Sequence, residues 1–281
     1  MAPPDMKVQG PLAFATRIHL GHAVSPPSSE ELASTVAGFL SWAQRCGADV
    51  AAIAVDSARK IDGYDLPSEV RAAAARQRSE RDGTRAAVPC DVVPVAPWQA
   101  FVPALNALVA WAAGKRAGRL LLASAETTLE EGSVRALLCH VDRDTLVAGC
   151  ALPGHDYRPG DGGVALGGRT TPWNTCAVWN LGKLALTGFP LVAEGLHPLP
   201  DGTDGPSGVE EASAIAVLQR VLPEGTAVAK LVGLPGASWD VDWTDDERRA
   251  WHERKMKSKV ERAGRHLELL GLDGQGRVTH I

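Results

Sequence analysis

The chain lacks the cysteine spacing of a metal or disulfide framework. Its five cysteines (Cys46, Cys90, Cys139, Cys150 and Cys176) are odd in number, widely separated and without a C-x-x-C pair. That pattern argues against a zinc ribbon or finger and fits reduced structural thiols. No apolar run approaches the roughly 18–20 residues needed to span a bilayer. The opening MAPPDMKVQG has no apolar signal-peptide core, so a cytoplasmic protein is expected. A formal net charge of −4 argues against a general nucleic-acid binder, which is usually basic. Internal repeats and low-complexity tracts are also missing, apart from an alanine bias.

What remains is an ordinary globular composition, 45% hydrophobic and 22% charged over 281 residues, enough chain to bury a full core. Strand-like and helix-like segments alternate through the first half. LAFATRIHL (12–20) reads as a strand. Ser28 or Ser29 then caps an acidic first turn, Glu30 and Glu31, of a helix with Leu32, Val36, Phe39 and Leu40 on its apolar face. VAAIAVD (50–56) is a near-continuous apolar run, as expected for a strand covered on both faces. Helices near 67–81 and 99–116, strands near 91–95 and 119–124, a helix from about 128 and a strand near 145–151 follow. This order predicts a mainly parallel α/β sheet with helices on both faces, whose ligand crevice lies beyond the carboxyl ends of the strands. Asp56 and Glu126 sit at such ends, and neither belongs to a G-x-G-x-x-G or Walker A loop.

The Gly/Pro-rich segments 152–172 and 195–208 predict long loops, which compact domains usually keep for binding or covering a site. Between them TPWNTCAVWNLGKLALTGF predicts a helix starting near Asn174. A short helix near 209–222, a strand near 227–232 and a charged helix from about 244 to 270 complete the pattern.

AIAVDSARKIDG, VPALNALVAWAAGKRAGRLLLASAETTL and GVEEASAIAVL together resemble the nucleotide-sugar glycosyltransferases of the GT-A type, family 2-like, over about residues 12–222. The resemblance implies a GT-A-like (Rossmann-like) fold. It implies one domain, 1–281, with a nucleotide-binding half (12–151) and an acceptor-side half with the C-terminal helix (152–281). It places Asp56, with Ser57 beside it, at the nucleobase. Asn106 falls on the helix that precedes the metal strand, and Ser124 and Glu126 stand where the first and last acids of the family's D-x-D belong. Ser-Ala-Glu offers one charge where D-x-D offers two, so Mg2+ or Mn2+ would rest on Glu126, with His252 as second protein ligand. The bland alternative is that Glu126 only favours the start of the next helix.

Glu210 and Glu211 occupy the place of the family's E-D motif, which implies Glu211 as catalytic base with Glu210 as its neighbour; otherwise they are an acidic first helical turn. Trp173, Asn174 and Trp179 fall on the acceptor side, where the indoles would stack on a sugar or fill the core. Lys183 is a phosphate contact or a solvated charge. Arg248, Lys255 and Lys259 share a face of the last helix with the region of His252; they would neutralise a leaving diphosphate or simply be solvated. The expected activity is therefore a metal-assisted, hexosyltransferase-type glycosyl transfer from a nucleotide-sugar donor to an acceptor hydroxyl. The alternatives are a catalytically silent nucleotide- or partner-binding relative and, more remotely, a nucleotidyltransferase. Against the last, HLGHAVSPP after the first strand has one glycine and neither lysine nor arginine.

Overall fold

The computed structural model describes residues 8–21, 23–79, 87–125, 127, 129, 131–198, 202, 205, 207–234 and 246–281, and the side chains of all these except 78–79, 131 and 246–256. The first strand, β1 (Leu12–Ile18), feeds α1 (Ser29–Arg45). That helix starts where the sequence predicts, because Ser28 and Glu31 form a capping box: Ser28 Oγ accepts from the Glu31 amide at 3.2 Å, and Glu31 Oε2 accepts from the Ser28 amide at 2.9 Å. The chain continues through β2 (Val50–Asp56), α2 (Leu66–Ser79), β3 (Cys90–Val95), α3 (Val102–Gly114), β4 (Arg119–Ala123), α4 (Glu131–Cys139) and β5 (Thr145–Cys150). The second half supplies β6 (Val164–Ala165), β7 (Cys176–Asn180), α5 (Leu181–Leu184), a 3-10 turn (Leu191–Glu194), α6 (Glu210–Val221), β8 (Val228–Val232), α7 (Asp246–Leu269) and β9 (Arg277–His280).

Among the described residues the strands form one sheet in the order β3-β2-β1-β4-β7-β5-β8-β9-β6. Strands β3, β2, β1 and β4 are parallel neighbours, as are β5, β8 and β9, whereas β7 runs antiparallel between β4 and β5. Helices cover both faces, so this is an α/β, Rossmann-like fold with a mainly parallel sheet. The two faces differ in side-chain size. Ala13, Ala15, Ala52 and Ala54 point to the face holding α3, α6 and α7, where the small side chains let helices approach closely. Phe14, Ile53 and Val55 fill the opposite face, beneath α1, α2 and α4. Each fully buried residue of that size contributes about 1.5–3 kcal/mol.

One expectation fails. Residues from Asn174 do not begin a helix; CAVWN is the buried strand β7, and only the single turn of α5 follows it. A five-residue apolar run covered on both faces has no alternation, so its period cannot separate strand from helix. The consequence for the site is large. Because β7 is antiparallel to β4, its leading residues 173–175 lie beside the carboxyl end of β4, where the Ser124 amide donates to the Thr175 carbonyl at 3.0 Å. The sheet also gains β6 and β9, which the sequence pattern did not announce. Among the described residues no helix is long and apolar enough to cross a membrane.

Candidate functional site

A cavity of about 600 Å³ opens at the carboxyl ends of β1 and β4, within the size range of small-molecule sites. It is lined by Thr16, Arg17 and His19 from the end of β1, by Glu31 and Thr35 of α1, by Ser124 and Asn174, and by Trp98 and Phe101. Trp173 and Lys259 close the side nearest α7.

Arg17 is the penultimate residue of β1 and its only charged one, and its guanidinium lies 5.5 Å from the centroid of the Phe101 ring. Its Nη1 is 3.8 Å from Glu210 Oε1, a loose ion pair. Glu210 and Glu211 are both buried in the first turn of α6. Immediately before them Val209 has φ 62° and ψ 39°, a left-handed conformation that costs a β-branched residue energy and often marks functional segments. Glu211 accepts a short hydrogen bond from the Asn174 amide, and Asn174 Nδ2 donates to Glu210 Oε1 at 3.3 Å. Burial first, and repulsion from Glu210 second, push the Glu211 carboxyl up to about 8, against the opposing Asn174 bond and the Lys259 charge. Neither carboxylate lines the cavity; Arg17 and Asn174 form the wall in front of them.

Lys259 reaches the cavity from α7, with Nζ 3.1 Å from the centroid of the Trp173 ring. The other face of that indole stacks on His155 at a centroid distance of 3.6 Å. Burial drives His155 down to about 4, so it is a neutral imidazole at pH 7. Trp173 Nε1 donates to the Gly168 carbonyl, and a Cβ at Gly168 would collide with the Lys259 backbone, so that glycine lets α7 dock closely enough to deliver the lysine. With both faces taken, Trp173 is not a sugar platform, correcting that expectation. Trp179 is not one either: it is completely buried, edge-on to Phe189, and donates to Asn174 Oδ1.

Three residues expected at the donor are engaged elsewhere. Asp56 Oδ1 accepts from the amides of Ala58 and Arg59 at 2.9 and 3.2 Å, closing a turn after β2. Ser57 Oγ donates to the Val95 carbonyl, tying β2 to β3. The Asn106 amide pairs with the backbone of Phe189 through both its oxygen and its nitrogen. Lys183, weighed as a phosphate contact or a solvated charge, donates to the Thr226 carbonyl instead. Ser124 does line the cavity. Glu126 lies outside the described residues, and so does the side chain of His252 on α7.

The described polar groups lining the cavity are hydroxyls, the Asn174 amide, the His19 imidazole, the Trp98 indole, the Glu31 carboxylate and two cations, and among the described residues no three His, Cys, Asp or Glu side chains cluster as a metal site would require. The residues expected to hold Mg2+ or Mn2+, Glu126 and the side chain of His252, lie outside the described ones, and the described lining by itself supplies too few oxygen ligands for such an ion. Sequence reasoning missed Arg17, Trp98 and Glu194. A basic residue next to the carboxyl end of a mostly apolar strand was a readable signal for Arg17. Glu194 had none: its carboxylate, from the 3-10 turn, accepts the amides of Ala100, Phe101 and Val102, capping α3 and fixing the loop that carries Trp98.

The fold and cavity thus define an α/β protein with a cation-bearing site at the carboxyl edge of its sheet. No protein-family model matches the chain, and no curated protein matches it significantly. Among solved structures, Rv0371C of Mycobacterium tuberculosis H37Rv in complex with manganese is 15% identical, over 67% of this chain and 85% of that one, with a TM-score of 0.35. A likeness of that degree carries no argument about the site.

Proposed function

We infer that the protein binds a nucleotide-sugar donor in this cavity and transfers the sugar to an acceptor hydroxyl. The observation that carries the reading is the charge arrangement: Arg17 and Lys259 at the cavity wall, with the buried Glu210–Glu211 pair directly behind Arg17 and Asn174. The two cations suit a diphosphate. A diphosphate that draws the guanidinium away from its loose contact with Glu210 opens the wall in front of the carboxylates. Glu211 then takes the proton of the acceptor hydroxyl as that oxygen bonds to the anomeric carbon. The bond from that carbon to the diphosphate oxygen breaks, and its electron pair leaves with the nucleoside diphosphate, stabilised by Arg17 and Lys259.

A second reading, binding without transfer, is favoured by the placement of Glu210 and Glu211 behind the cavity wall. The test is incubation with a panel of nucleotide sugars, following release of nucleoside diphosphate. Release that depends on Glu211 supports transfer; tight binding with no release supports the silent reading. Absence of binding to any nucleoside diphosphate or to pyrophosphate sinks both. Mg2+ or Mn2+ enters the proposal through Glu126 and His252 alone, and equal nucleotide affinity with manganese and with chelator would remove it.

A further inference from the structure

Trp98 is more than 90% buried, yet among the described residues its indole Nε1 has no hydrogen-bond partner. Among the described residues Thr16 Oγ1 and Arg17 Nη1 also lack a hydrogen bond, although Arg17 Nη1 keeps its loose ion pair with Glu210, and all three residues line the same cavity. An unpaired buried donor costs about 1–3 kcal/mol, a cost that a ligand acceptor at the Trp98 indole would remove. An indole N–H only donates, and so does a guanidinium. A ligand that satisfies both therefore brings acceptors to them.

The position of Trp98 relative to Arg17 is given by His19, which follows β1. Arg17 stands beside Phe101, Glu210 and, through Asn174, the Trp173–Lys259 end of the cavity. His19 is two residues further out, roughly 6.5 Å at strand spacing, and its ring lies 5.4 Å from that of Trp98. If the diphosphate occupies the cations, the part of the ligand remote from the carboxylates falls at His19 and Trp98. That part is the nucleoside.

We propose that Trp98 is the specificity-determining residue of the nucleoside subsite, its Nε1–H donating to an oxygen acceptor on the base or ribose. The assignment rests on the nucleotide-sugar reading above. It also replaces Asp56, whose carboxylate closes a turn of its own. The loop bearing Trp98 is anchored at its far end by Glu194, so the indole is held in place before any ligand arrives.

The test is the indole N–H region of the nitrogen–proton NMR spectrum of the wild-type protein, with the Trp98 signal assigned by its loss in Trp98→Phe. Titration with the diphosphates of uridine, guanosine, cytidine and adenosine is compared with inorganic pyrophosphate. The Trp98 signal is expected to move with the best-bound nucleoside diphosphate and to stay in place with pyrophosphate. In calorimetry Trp98→Phe, which keeps a ring in the core, should lose roughly tenfold in affinity for that nucleotide and nothing for pyrophosphate. A saturating nucleoside diphosphate that leaves the Trp98 signal unmoved overturns the assignment, as does an equal loss for both ligands in the variant. If Trp98→Phe does not fold, the signal is assigned by backbone-linked spectra and the wild-type titration alone decides. Failure of the wild type to bind either class of ligand overturns the nucleotide-sugar reading itself, a different outcome from an unmoved Trp98.

Discussion

The indole of Trp179 donates to Asn174 Oδ1 at 2.8 Å, and that one bond sets which end of the Asn174 amide faces Glu210. Because Trp Nε1 cannot accept, the amide oxygen must lie toward it, which leaves Nδ2 for Glu210 Oε1. A fully buried core residue thereby orients a cavity-wall residue.

Trp179→Phe removes the donor while keeping an aromatic ring in the core. Asn174 Oδ1 is then unpaired in a buried place, and the protein should lose about 1–3 kcal/mol in urea unfolding. A loss below about 0.5 kcal/mol would show that the amide turns over at no cost and that its orientation is not held from behind.

Glu211→Gln should make the protein more stable at pH 8 and less sensitive to pH. Burial raises the folded-state carboxyl to about 8 from an ordinary 4.5. Between those values the folded chain holds a proton that the unfolded chain has released, so wild-type stability falls as pH rises through that window. Gln keeps an oxygen for the Asn174 amide but has no charge to bury. Urea midpoints measured across the window should diverge with rising pH, the variant lying higher; parallel curves would refute the perturbed carboxyl. Transfer activity, once a donor is found, should rise toward pH 8 in the wild type and fall by about 100-fold or more in the variant.

Glu194→Ala leaves three amides at the start of α3 without their acceptor. Hydrogen bonds to a charged group are worth about 1.5–3 kcal/mol each and are not additive, so a total loss of at least about 3 kcal/mol is expected in urea unfolding. Glu194→Gln, which keeps one carbonyl oxygen, should lose less. Equal losses in the two variants would mean that side-chain volume, not capping, matters here.

Asp56→Ala should cost about 1 kcal/mol of stability, as the loss of a local cap does, and leave nucleoside diphosphate affinity unchanged. The family resemblance implies the reverse, a loss of nucleotide binding. Calorimetry on the folded variant separates the two: a tenfold loss of affinity would return Asp56 to the site.

The local grammar of the chain determined a good deal. Ser28 followed three residues later by Glu31, ahead of an apolar stripe, specifies the start of α1 without reference to anything distant. The run VAAIAVD reads as a doubly covered strand and is one. Glu210 and Glu211 announce the first turn of α6, and their burial under Asn174 is what turns a capping pattern into a site. Those signals are short-range: a cap, a period, a run of apolar residues.

Tertiary structure alone decided the rest. Whether CAVWN forms strand or helix depended on an open slot between β4 and β5, because a short apolar run is compatible with either until neighbours supply hydrogen bonds. That pairing then carried Trp173 and Asn174 to the edge of the cavity. Arg17 meets Glu210, and Glu194 caps a helix that begins at Val102, across separations that no local pattern encodes. The same packing engaged Asn106 and Trp179 away from the ligand roles their positions suggested, whereas Asp56 is held by a local turn. A polar side chain takes whichever partner burial brings within reach, since leaving it unpaired costs more than any role implied by its place in the sequence.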